Sequence, residues 1–131
     1  MKPLPFETLK GKTFTKVEKL NSSSSERDGD QLIFHSLSGE KYKLFHSQEC
    51  CERVYIEDIC GDLDDLVGDP ILGAEEVSNS EDFEEGTKPY PQEVSFTWTF
   101  YKLHTKKGFV TIRWYGASNG WYAEKAILSL I

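Results

Sequence analysis

The sequence predicts a mainly β fold, or an α+β one with two short helices: about eight antiparallel strands in a sandwich or barrel. Two stretches with strand period and one candidate repeat carry this expectation. Val94, Phe96, Trp98 and Phe100 alternate with Ser95, Thr97, Thr99 and Tyr101, the period of a strand with one buried face. After the polar turn at residues 104–108, a run rich in β-branched and aromatic residues reaches Tyr115. Val110, Ile112 and Trp114 fall on one of its faces, and Thr111, Arg113 and Tyr115 on the other. Gly116 to Gly120 turns the chain into a third run, opened by Trp121, so a three-stranded meander is expected. Repetition is the third observation. Residues 6–18 set without gaps against residues 63–75, placing Leu9 opposite Leu66, Gly11 opposite Gly68 and Phe14 opposite Ile71. Further on, Gly39 falls opposite Gly108 and His46 opposite Tyr115. In that register Val110, Ile112 and Trp114 lie opposite Lys41, Lys43 and Phe45, so the hairpin cores are out of phase. An internal duplication is therefore a candidate, implying two halves of one short helix and about four strands each.

The remaining elements follow in chain order. Phe6 to Leu9 forms a helical turn stopped at Gly11, and residues 12–20 a strand with Phe14 and Val17 buried. Residues 21–30, serine-rich and polar, form a flexible loop, because nothing in them offsets the entropy of ordering them. Residues 31–37 and 40–46 make a second hairpin turned at Ser38-Gly39, and residues 52–58 a strand with Val54 and Ile56 on one face. Residues 61–68 read as a short helix capped by Asp62, with early carboxylates that suit its N-terminal dipole. Pro70 leads into the strand at residues 71–77. Residues 78–93 are a second flexible loop, acidic and proline-containing.

Composition bounds the function. A chain of 131 residues with 38% hydrophobic content is expected to be a single domain with one core. A net charge of -7 argues against a general binder of nucleic-acid backbone and favours basic protein partners. No apolar leader and no membrane-length apolar run is present, and three cysteines do not make a secreted disulfide framework. A cytoplasmic setting without membrane attachment is expected.

Three sets of residues carry candidate chemistry. His46, Cys50, Cys51 and Cys60 are zinc-ligand types, but their spacing is poor and adjacent cysteines face one site only from a turn. The same cysteines with His46 are the raw material of nucleophilic catalysis. Without a phosphate-cradling glycine loop or a catalytic motif, a non-enzymatic protein with no cofactor is the stronger reading, with zinc as the alternative. Tyr101, Arg113, Tyr115, Asn119 and Trp121 form the second set, a polar aromatic platform for stacking a small nucleotide and pairing its phosphate. Asp62, Asp64, Asp65, Glu75, Glu76, Glu81, Asp82, Glu84 and Glu85 form the third, a negative surface for a basic partner.

The stretches CCERVYIEDICGDLDDLVGDPILGAEE and TWTFYKLHTKKGFVTIRWYGASNGWYAE resemble an uncharacterised family of small proteins met in bacteria and their phages and prophages. The likeness covers roughly residues 44–125. It implies a small cytoplasmic accessory protein of mobile-element type, with no residue role to carry over. Such proteins are often inhibitors of host defence, acting by steric blocking, nucleic-acid mimicry or capture of a signalling nucleotide.

Overall fold

Alternating apolar and polar residues resolve, in a computed structural model describing residues 2–21, 29–79 and 95–131, into eight strands. They are β1 (Phe14–Leu20), β2 (Gln31–Ser36), β3 (Lys41–Phe45), β4 (Arg53–Cys60), β5 (Gly73–Asn79), β6 (Ser95–Thr105), β7 (Gly108–Ser118) and β8 (Ile127–Leu130). Two antiparallel sheets result, in the orders β1-β2-β3-β8 and β4-β7-β6-β5, and neither closes into a barrel. Helical structure among the described residues is limited to two single 3₁₀ turns, Phe6–Leu9 and Leu63–Leu66. Asp62 caps the second, its carboxylate accepting from the Asp64 N–H at 2.9 Å. No helix among the described residues is long and apolar enough to cross a membrane. Both loops read from the sequence fall largely on residues 22–28 and 80–94, outside the described residues.

The topology repeats itself. Each half contributes a 3₁₀ turn and a three-stranded meander, then sends its fourth strand across to the other sheet: β4 pairs with β7, and β8 pairs with β3. The meander expected from residue 94 onward is thereby corrected. Its third strand begins at Ile127 rather than Trp121 and leaves the sheet of β6 and β7. The two 3₁₀ turns coincide at the offset found in the sequence. Gly11 and Gly68, with φ of 86° and 90°, follow them in the left-handed conformation that glycine adopts without strain. Their N–H groups donate reciprocally, Gly11 to the Ile71 carbonyl (2.8 Å) and Gly68 to the Phe14 carbonyl (2.9 Å). The phase conflict between the hairpins also has a cause. Phe34 pairs with Tyr42 across the first, and Leu103 with Val110 across the second. Seven residues separate the former pair and six the latter, so the longer turn slips the register.

Both sheets share one core, in which Leu9, Phe14, Leu32, Phe34, Leu66, Tyr101, Leu103, Ile112 and Trp114 are almost wholly buried. The faces of β7 are as expected, but those of β6 are exchanged. Tyr101 and Leu103 point inward, whereas Phe96 and Trp98 join Tyr115 and Ala117 in a small cluster on the outer face. Trp98 and Trp114 therefore lie on opposite faces. Size complementarity explains the exchange: Trp114 sits directly across from Thr99, whose small side chain is fully buried beside the indole.

Candidate functional site

A cleft of about 740 Å³ opens between the two sheets. Leu44 and Leu128 reach it from the first sheet, Glu76, Thr97 and Tyr101 from the second. The segment around Leu4, Phe6 and Glu7 forms one wall, fixed where the Leu4 N–H donates to the Leu128 carbonyl at 2.7 Å. Gly120 and residues 122–126, in the link from β7 to β8 (residues 119–126), form another. Gly116 positions this link: a Cβ there would meet the Glu124 carbonyl oxygen at 2.0 Å, so only glycine lets the two backbones approach so closely. The Tyr101 hydroxyl donates to the Ala126 carbonyl and accepts from the Ala126 N–H, both at 3.2 Å. Burial first, and then the neighbouring Glu76 carboxylate, push the phenol upward from its ordinary pKa, so it stays protonated.

Glu124 is the most enclosed acid of the cleft, with a residue exposure of 9%. One carboxylate oxygen accepts from the Thr97 hydroxyl (2.7 Å), the other from the Ser118 hydroxyl (2.5 Å). Among the described residues no ion pair takes up Glu7, Glu76 or Glu124. Sequence reasoning missed Glu124, because nothing local marks a glutamate whose burial depends on a glycine in the preceding strand.

The other crossing link, residues 46–52 between β3 and β4, is also built on a buried glutamate. Glu52 accepts from the N–H groups of Glu49 (2.9 Å) and Cys50 (2.8 Å), and faces His46 Nε2 at 2.9 Å. Burial alone would raise its pKa; these hydrogen bonds outweigh it and bring the carboxyl down to about 2. His46 Nδ1 donates to the Lys125 carbonyl at 3.1 Å, tying the two links together.

This arrangement divides the residues of the candidate zinc set. Cys50 and Cys51 are exposed and joined to each other in a disulfide, while Cys60 is free at the opposite end of β4. Both His46 ring nitrogens are engaged, one by the Lys125 carbonyl and the other by the Glu52 carboxylate. Among the described residues no group of three or more His, Cys, Asp or Glu is placed to hold a metal ion.

The expected ligand platform is divided as well. Tyr101 borders the cleft, whereas Arg113 and Tyr115 lie on the outer face of the second sheet. Arg113 Nε sits 2.8 Å from Glu57 Oε1, and the Trp98 indole N–H donates to the same oxygen at 3.1 Å. Tyr115 is buried, its ring 4.9 Å from that of Trp98 and 5.6 Å from that of Tyr55. The Asn119 side chain accepts the Trp121 N–H at 3.0 Å, shaping the turn that presents Trp121 at 86% exposure beside the cleft. The acidic set is scattered. Asp62, Asp64 and Asp65 cluster on the second 3₁₀ turn. Glu75 and Glu76 point to opposite faces of β5, the latter into the cleft. Glu81, Asp82, Glu84 and Glu85 lie outside the described residues.

With the fold and cleft defined, comparison with protein-family models matches residues 7–128 to a domain of unknown function, DUF7448. The chain belongs to the DUF7448 family. No curated protein and no solved structure matched this DUF7448 chain.

Proposed function

We propose that this DUF7448 protein is a non-enzymatic binding protein that holds its ligand in the cleft between its sheets. The observation that carries this reading is the cleft itself: about 740 Å³, with apolar walls and a few convergent polar groups, the usual make-up of a small-molecule site. Each histidine is taken up structurally. His46 lies between Glu52 and Lys125, His35 pairs with Glu18 at 2.5 Å, and His104 stacks on Phe109, which favours binding over proton-transfer catalysis. Amide resonances of residues 97, 101 and 120–128 are expected to move when a ligand binds. Shifts confined to other surfaces would refute the assignment.

A second reading keeps the cytoplasmic, mobile-element setting of the resemblance, in which a defence complex is blocked by a negative surface. Asp62 and Asp64, exposed on the second 3₁₀ turn and without an ion pair among the described residues, favour it. Such docking weakens steeply with salt, and salt-independent capture of a basic partner would remove it.

A further inference from the structure

We infer that the cleft selects an organic cation, an ammonium or guanidinium group on an apolar body, with Glu124 as its counter-charge. This rests on the cleft being the binding site. A buried carboxylate is costly unless a positive charge offsets it. At Glu52 the carboxylate is fully taken up, by the His46 ring nitrogen at 2.9 Å and by two backbone N–H groups. At Glu124 the same requirement is only half met. Two neutral hydroxyls, Thr97 and Ser118, hold the carboxylate in one orientation, and among the described residues no Lys, Arg or His pairs with it. The missing charge has room to arrive from the cleft side, which Glu124 lines.

The rest of the lining agrees. Glu7, Glu76 and Glu124 stand against Lys125 as the only basic lining residue among those described, so the cleft is net negative. Phe6, Leu44 and Leu128 offer apolar surface to the body of the ligand. Thr97 and Ser118 leave Glu124 further lone pairs for an N–H donor, the geometry a guanidinium or amidinium fork uses well. A free amine and a lysine or arginine side chain of a partner protein present the same chemistry to Glu124.

The test is a titration of ¹⁵N-labelled protein with benzamidine, its neutral isostere benzamide, arginine amide, a short arginine-containing peptide and AMP. Benzamidine and arginine amide are expected to perturb residues 97, 101 and 120–128, with benzamide weaker by at least about tenfold. Glu124→Gln should cost benzamidine a similar factor, and Glu76→Gln, at an exposed position, a smaller one that still reads out if the first variant folds poorly. Peptide binding tighter than arginine amide supports a protein partner as the source of the cation, and the reverse order a free amine. Benzamide or AMP entering the cleft as tightly as benzamidine overturns the cation assignment while leaving the binding role intact. If none of the five probes moves those residues, both readings fall.

Discussion

The two links that carry the chain from one sheet to the other, residues 46–52 and 119–126, solve the same problem with different chemistry. Each must leave its sheet, cross the edge of the sandwich and deliver a strand to the opposite layer, and each does so around a buried glutamate. In the first link every acceptor of Glu52 is served by its own segment, from Glu49, Cys50 and His46. In the second, Glu124 is reached among the described residues by two hydroxyls, from β6 and β7, and it lines the cleft. The meanders differ in the same sense. Where β1 and β2 pair Lys19 with Leu32, β5 and β6 at the equivalent place pair Glu76 with Tyr101. One end of a repeated architecture is spent on packing; the other keeps carboxylates and hydroxyls beside open space.

The comparison can be broken most forcefully in the core. Leu9 and Leu66 occupy equivalent, fully buried positions, so Leu9→Ala and Leu66→Ala are each expected to lose about 2–5 kcal/mol in urea unfolding, and by similar amounts. A large asymmetry would show that the halves share a trace but not a packing. Next comes Glu52→Gln, which removes a carboxylate from its hydrogen bonds and should cost about 2–3 kcal/mol, against about 1 kcal/mol for Glu124→Gln in the absence of ligand, where two hydroxyl hydrogen bonds are weakened. The pH dependence follows from the same site. The Glu52 carboxyl lies at about 2 when folded against 4.5 ordinarily, so the unfolded chain binds more protons between those values. Its stabilisation is complete above about pH 4.5 and is lost as pH falls through about 2. Acid unfolding followed by circular dichroism should therefore begin less steeply in Glu52→Gln than in the parent. The smallest effects fall on Gly11→Ala and Gly68→Ala, each expected to cost about 1 kcal/mol because both φ values are positive. Unequal melting temperatures for the two would separate conformational strain, which they share, from the Lys107 ammonium that only Gly68 has nearby.

Much of this fold was legible in the chain. Eight strands, two short turns and the offset between residues 6–18 and 63–75 all follow from spacing, because glycine positions and apolar period are local properties. The faces of β6 were not legible, since Phe96, Trp98 and Phe100 make one apolar phase and Tyr101 and Leu103 begin the other; only the bulk of Trp114 across the ladder decides between them. Nor was the crossing of β8. A short apolar run such as Ile127–Leu130 fits the edge of either sheet, and its choice is fixed by pairing with Tyr42 to Phe45. Of the residues proposed for ligand contact, only Tyr101 lines the cleft. The rest of that site is drawn from the N-terminal segment, β5, β6 and the second link, which no local pattern connects.

The exchange of fourth strands also bears on how the molecule comes into being. Residues 14–45 can form their three strands early, yet the edge of β3 has no neighbour until residues 127–130 arrive, so assembly depends on sequence-distant closure and should be slow for a protein of this size. Severed between β4 and β5, the two pieces would each carry an arm made for the other, and mixing them should regenerate the whole.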